Sequence, residues 1–333
     1  MNYLQVLGKQ HYFLFESLIN IFNGKMITSK PFMYVCMKVK LSTIHVSLML
    51  ILSMAVLPGC TEIRFKDNNI QNEEQYNTTK ISVASFNIKI FGKTKASNDT
   101  VMASLVEIVS KYDIIAIQEI KDIDQEVPYE FLELLNNNSS IQFEMLLSQR
   151  SGSQEDDRSS QEQYAILYNP ELIYVIDNGT LYNDSVNDSF QREPFLAHLS
   201  VKNTTLDFVL GVIHTKPAAA EDEIAALIDV FDWSAVYFDD EDVMIVGDYN
   251  ADCSYFDEED IIELEIGSAE FLWAIPNEAD TNLASSNCTY DRMVLTGDII
   301  DNFNGTWGVD NTFSEKSISD HWPVWIELVI RID

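Results

Sequence analysis

Apolar runs of strand length, each closed by a polar residue of catalytic type, recur along this chain, and they limit its fold more than any other feature. The run 81–86 is followed by Asn87, 114–118 by Glu119, 208–213 by His214, and 243–246 by Gly247-Asp248-Tyr249-Asn250. Asp320-His321 precedes a last run over 324–330. A side chain at the end of a packed strand is held more firmly than one on a free loop. The pattern therefore points to one site assembled from the ends of several strands.

Between these runs the spacing alternates in type. Ser97 or Asn98 can cap an amphipathic helix reaching residue 111, with Val101, Leu105, Ile108 and Val109 on one face. A strand over 113–118 follows. Strands with hairpin loops are expected at 164–168, 173–176, 195–199 and 207–213, and a second helix over about 219–238 leads into 243–246. Strands at 291–296 and 324–330 complete the set. Helices alternating with strands, with hairpins among them, fit an α/β (α+β) fold of two packed mixed sheets flanked by helices. Residues 151–161 form a polar loop.

The chain before residue 81 reads differently. Met37-Lys38-Val39-Lys40, an apolar stretch over 41–57 and Pro58-Gly59-Cys60 have the order of an export signal. Leu57-Pro58-Gly59-Cys60 equally matches a lipoprotein signal, in which Cys60 would be a membrane tether. Both readings place the mature protein outside the cell or on its surface. Residues 1–36 are expected to be an upstream extension without a fold role, 61–80 a polar linker, and 81–333 a single domain. With Cys36 and Cys60 set aside, Cys253 and Cys288 remain as one even pair, which in an oxidising compartment suggests a disulfide.

Charge narrows the partners. The formal net charge is −32, and because residues 1–60 hold five Lys and one Glu, residues 61–333 carry −36. Such a surface repels nucleic acid and anionic membranes. A polyanionic partner then requires divalent cations, or high salt that screens the repulsion. No protein partner is suggested, and a monomer is expected.

Past residue 60 there are three histidines. His198 lies within an alternating strand pattern and reads as structural, whereas His214 and His321 sit at strand ends or loops, where function concentrates. A histidine working near neutral pH needs a carboxylate to fix its tautomer and stabilise its cation. Glu162 and Asp291 are the candidates for that role. Two such histidines beside acids and amides supply what phosphodiester hydrolysis requires: a base, an acid and charge stabilisation at the phosphoryl oxygens.

Seven segments in order resemble the motifs of the deoxyribonuclease I family: Ser85-Phe86-Asn87-Ile88, Tyr112 through Glu119, Arg192-Glu193-Pro194, His214-Thr215-Lys216-Pro217, Gly247 through Tyr255, Asn287 through Arg292, and Ile318-Ser319-Asp320-His321. They span nearly all of 81–330. The resemblance implies a four-layer αββα sandwich and a largely sequence-nonspecific endonuclease that leaves 5'-phosphate and 3'-hydroxyl ends. The wider superfamily also holds inositol-phosphate phosphatases and sphingomyelinases, which form the alternative reading.

Carried over residue by residue, the resemblance pairs His214 with Glu162 and His321 with Asp291 as general acid and base. It places Mg²⁺ (or Mn²⁺) at Glu119 with Asn87 and Asp320, and gives Asp248 and Asn250 the attacking water and phosphoryl oxygens. It implies Ca²⁺ on a loop with Asp184, Asp188, the Phe190 carbonyl and Glu193, and a second Ca²⁺ site beginning at Asp280, where Ala284 departs from the family pattern. DNA contact is implied for Lys89, Lys121, Arg192 and Tyr255, and the Cys253–Cys288 disulfide is implied again.

Overall fold

The computed structural model describes residues 77–152 and 161–332. The expected leader, Cys60 and most of the linker lie outside those residues, as does 153–160 of the polar loop. The described residues form two six-stranded mixed sheets with helices on their outer faces, the four-layer arrangement expected from the sequence. The first sheet has the order β11-β12-β1-β2-β4-β3, from β1 (Thr78–Phe91), β2 (Ile114–Ile120), β3 (Glu144–Leu147), β4 (Gln163–Tyr168), β11 (Phe303–Val309) and β12 (Val324–Arg331). The second has the order β5-β6-β7-β8-β10-β9, from β5 (Ile173–Leu181), β6 (Phe195–Val201), β7 (Asp207–His214), β8 (Val243–Asp248), β9 (Leu272–Trp273) and β10 (Asp291–Thr296).

Each sheet has one parallel pair near its middle, β1 with β2 and β7 with β8, and antiparallel neighbours around it. Parallel neighbours end on the same side. This places Asn87 and Glu119 at one end of the first sheet, and His214 and Asp248 at one end of the second.

The core follows from the sequence pattern. β8 is buried along its whole length, as a continuous apolar run requires, whereas β12 alternates buried and partly exposed residues. Side chains such as Val83, Ile166, Leu210, Val246 and Ile326 fill the space between the sheets. Helix α2 (Asp99–Val109), after the single turn α1 (Lys93–Ala96), packs Leu105 and Val109 on the outer face of the first sheet. Asn98 caps α2 by accepting the Thr100 and Val101 N–H groups. Helix α4 (Ala220–Phe238) buries Ile224, Leu227 and Phe231 against the second sheet and stops where Asp239 turns left-handed.

Some elements differ from the sequence expectation. The first strand begins at Thr78, inside the expected linker, because residues 78–80 pair with 329–331 of β12. Helix α3 (Val127–Asn138) was not expected: it buries only Val127, Pro128, Phe131 and Leu135 and ends in three Asn, poor helix formers. Strands β3, β9 and β11 were also not expected. β9 is two residues long, and β11 (FNGTWGV) has no buried residue and so no clear alternation.

Cys253 and Cys288 are joined in a disulfide that ties the segment after β8 to the one before β10. Arg292, fully buried beside it, donates to the Ala251 and Ile275 carbonyls at 3.1 Å. At Gly247 the backbone has φ +152°, and a Cβ would lie 1.8 Å from the Ile213 carbonyl oxygen. Only glycine lets β8 approach β7 this closely, one residue before Asp248. Gly247→Ala is therefore expected to lower stability by about 1–3 kcal/mol in urea unfolding, and to lose activity beyond that, because β8 must shift relative to His214.

Candidate active site

Strand register assembles the centre of the site. His214 ends β7 opposite Asp248 of β8, and Asp248 lies opposite Asp291 of β10, so three polar side chains stand in one row across the second sheet. Glu162, just before β4, and His321, just before β12, arrive from the first sheet's strands. His214 Nδ1 lies 2.9 Å from Glu162 Oε2, and His321 Nδ1 lies 2.8 Å from Asp291 Oδ2. The Nε2 atoms of the two rings lie 3.6 and 3.5 Å from the same oxygen, Asp248 Oδ2.

Asp248 is nearly fully buried, yet each oxygen has a partner. Oδ2 accepts from Asn87 Nδ2 at 2.9 Å and Oδ1 from the Asn250 N–H at 3.0 Å. Burial alone would raise its pKa, but the His321 and His214 rings and these two donors hold it below the ordinary carboxylate range. For His321 burial pulls the other way, and the carboxylates of Asp291, Asp248 and Asp320 bring the ring up to about 10. Glu162 is opposed by burial but held well below its ordinary value by His214, Arg192 and Lys121.

Around this centre lies an open cleft lined by Glu119, Asp320, Lys89, Lys121, Tyr255 and Asn250. The Lys89 ammonium sits on the Asp320 carboxylate, and Glu119 Oε2 accepts the Ile90 N–H at 2.8 Å. Asn87 Oδ1 accepts the Lys89 N–H at 2.8 Å. Lys121 reaches Glu162 Oε1 at 3.1 Å, and Tyr255 is exposed at the rim. Asn250 donates its side-chain amide to the Thr215 carbonyl at 3.0 Å. Lys89, Ile90, Glu119 and Asn250 all have positive φ, a conformation costing about 1–3 kcal/mol per residue that gathers at functional sites.

Arg192 corrects the sequence reading. Expected to meet DNA, it is instead buried, and donates Nε and Nη2 to the His214 carbonyl at 3.0 and 2.8 Å and Nη2 to the Thr215 carbonyl at 3.0 Å. Its Nη1 lies 3.5 Å from Glu162 Oε1. A guanidinium spent on these groups holds the His214 segment in place.

The segment expected to hold a second Ca²⁺ is likewise used by the protein. Asn282 forms a β-bridge with His321, the Leu283 N–H donates to the Asp320 carbonyl at 2.8 Å, and the Trp322 N–H donates to the Thr281 carbonyl at 2.8 Å. The Asp280 side chain accepts from Asn282, whose amide also donates to the Ser286 and Cys288 carbonyls. Its work is to brace His321. The other loop keeps its acids together: Asp184, Asp188 and Glu193 line one pocket, and burial together with the other two carboxylates raises Glu193. Asp184 Oδ2 accepts the Phe190 N–H at 2.9 Å.

Several supporting residues were not assigned a role from sequence. Ser319 donates to the Asn87 carbonyl at 2.6 Å and accepts the His321 N–H at 3.1 Å. Thr281 Oγ1 accepts the N–H groups of Tyr290 and Asp291. Lys95 bonds the Ile88 and Ile318 carbonyls, joining the two segments that carry Lys89 and Asp320. Burial lowers its ammonium to about 8. The Ser319 hydroxyl stood inside a recognised motif, but nothing in one sequence marks Lys95 or Thr281.

Residues 84–321 match the Endonuclease/Exonuclease/phosphatase family. Deoxyribonuclease-1 of Bos taurus is 34% identical over 265 residues, covering 74% of this chain and 92% of that protein. That of Gallus gallus is 34% identical over 268 residues, covering 75% and 93%. In fold, the chain is similar to an endonuclease/exonuclease/phosphatase from Bacteroides vulgatus, with a TM-score of 0.54 and 16% identity over 77% of this chain and 100% of that one.

Arg192→Leu leaves Glu162 buried without its guanidinium, and is expected to cost about 3–5 kcal/mol in urea unfolding. Lys121→Ala, at a partly exposed pair, should cost under about 1 kcal/mol. Because the Glu162 pKa is depressed on folding, its contribution is complete above about 4.5 and is lost as the pH falls toward the folded value. The stability margin of wild type over Glu162→Gln should therefore shrink on acidification below that pH.

Proposed function

The chain belongs to the deoxyribonuclease I branch of the endonuclease/exonuclease/phosphatase family and is a phosphodiester hydrolase, and from that premise we propose that it is a divalent-metal-dependent endonuclease that cuts DNA with little sequence preference. One observation carries the reading: two histidines, each backed by its own carboxylate, bring their free ring nitrogens to the same oxygen of Asp248 beneath an open cleft. A phosphate entering there meets a proton acceptor and a proton donor together.

In the proposed reaction one histidine takes a proton from water as its oxygen attacks phosphorus. The other gives its proton to the departing O3' as the P–O3' bond breaks, which leaves a 3'-hydroxyl and a 5'-phosphate. Glu162 and Asp291 hold the two rings in orientation and stabilise whichever is cationic. Asp248 keeps both ring nitrogens turned toward one point, and Asn250 stands at the cleft wall as an amide donor for a phosphoryl oxygen. Tyr255 and Lys121 at the rim are the proposed DNA contacts, with Lys89 as a third.

The residues present fit a hard cation. Glu119, Asp320 and the Asn87 amide oxygen form an all-oxygen set suited to Mg²⁺ or Mn²⁺, and the Lys89 ammonium already lies against Asp320. A cation held there neutralises charge on the phosphoryl oxygens, which a chain of net charge −32 otherwise opposes. Asp184, Asp188, Glu193 and the Phe190 carbonyl are proposed to hold a structural Ca²⁺, supported by the three carboxylates that line one pocket. The leader pattern over 37–60 supports action outside the cell, on free DNA, with or without a lipid on Cys60.

Supercoiled-plasmid nicking tests the proposal. Wild type should nick in Mg²⁺ and Ca²⁺ and stop on chelation, and His214→Ala and His321→Ala should each lose about 10²–10⁴-fold while remaining folded by circular dichroism. Intact plasmid under all metal and salt conditions, with release of phosphate from an inositol phosphate or phosphocholine from sphingomyelin, would move the assignment to another branch of the family.

A further inference from the structure

A second group of metal-ligand side chains lies at the far end of the second sheet. His198 of β6, Asp207 at the start of β7 and Asp240 just past α4 bring one ligand atom each within 4.8 Å of one another. From Asp207 to His214 β7 runs seven residues, about 23 Å of extended chain, so this group is separate from the catalytic cleft.

The contacts have the spacing of coordination and lack the alignment of hydrogen bonds. His198 Nε2 lies 2.9 Å from Asp240 Oδ2 and 3.3 Å from Asp207 Oδ2. Yet Nε2 and Asp240 Oδ2 are both buried and neither makes a hydrogen bond, although His198 is only 7% exposed. Two ligands on an ion, with bonds of about 2.0–2.2 Å, are about 3.0 Å apart at octahedral angles and about 3.4 Å apart at tetrahedral ones, and each lies about 35–45° off the other's bond axis. That offset bends an N–H···O contact too far for a good hydrogen bond, and it suits two atoms facing a common ion.

The surroundings hold the three in place. Asp240 Oδ1 accepts the Asp242 N–H at 2.8 Å, and the Val209 N–H of β7 donates to the Asp242 carbonyl at 2.8 Å. The Phe238 ring packs edge-on against the imidazole at 5.9 Å. Asp207 is half exposed, which gives an ion a path from solvent.

We propose that His198, Asp207 and Asp240 bind a divalent transition-metal ion of the zinc or manganese type, which clasps the end of α4 to β6 and β7. One imidazole with two carboxylates favours such an ion over Ca²⁺ or Mg²⁺, which take oxygen ligands. The role is structural: no part of the clasp touches the cleft.

The test uses the full chain stripped of metal and titrated with Zn²⁺ and, separately, Mn²⁺, with bound equivalents counted by calorimetry and melting followed alongside. Asp240→Asn and His198→Gln should each bind one equivalent fewer, or bind it more than ten-fold more weakly, and lose the metal-dependent rise in melting temperature. Glu119→Gln, altered in the cleft, should keep that equivalent. Plasmid nicking in Mg²⁺ should be unchanged in the two clasp variants. If either fails to fold, Asp207→Asn at the half-exposed position provides the same comparison. Folded variants that bind as many equivalents as wild type would overturn the proposal and leave a histidine paired with two aspartates.

Discussion

Everything in the site depends on the burial of Asp248 between two imidazoles. A buried carboxylate is costly unless charge and hydrogen bonds surround it, and Asp248 has both: two ring nitrogens, the Asn87 amide and the Asn250 N–H. The Asn87 donor comes from the first sheet and Asp248 belongs to the second, so the bond crosses the sandwich. The packing of the two sheets and the aim of the two histidines are therefore one problem. Gly247 allows the close approach of β7 and β8, and Ser319, Thr281 and the 281–283 segment fix the His321 side.

Much of this was legible in the sequence for a physical reason. Strand ends with a polar terminus show as apolar runs, and register then brings His214, Asp248 and Asp291 into one row. The buried strands, α2 and α4 were readable because their apolar spacing is strong. Helix α3 was not, since its buried face is thin and its end is Asn-rich, and β11 was not, since no residue of it is buried. Arg192 was misassigned because a basic residue in a motif does not reveal which way it points. Its partners, the His214 and Thr215 carbonyls, are backbone groups that no sequence pattern marks. The bonds of Lys95 and the positive φ of Lys89, Ile90 and Glu119 escape for the same reason, being set by how segments meet.

The acidic balance of the chain is reflected at the cleft. Each cationic side chain assigned to DNA is engaged with the site's own groups: Lys89 with Asp320, Lys121 with Glu162, Arg192 with Glu162 and two carbonyls. Lys316 is a further lysine in the cleft lining, and on the proposed metal-dependent reading binding draws on cations from solution as well. Lys89 and Lys121 instead prevent the site's carboxylates from repelling each other when no substrate is present.

The most direct measurement of the central claim, that both histidine–carboxylate pairs act on one phosphate, is a double-mutant comparison of single-turnover nicking for His214→Ala, His321→Ala and the combined variant. If the pairs act as a unit, the double variant should be about as slow as either single one. Losses that multiply in the double variant would contradict the account and indicate two independent contributions.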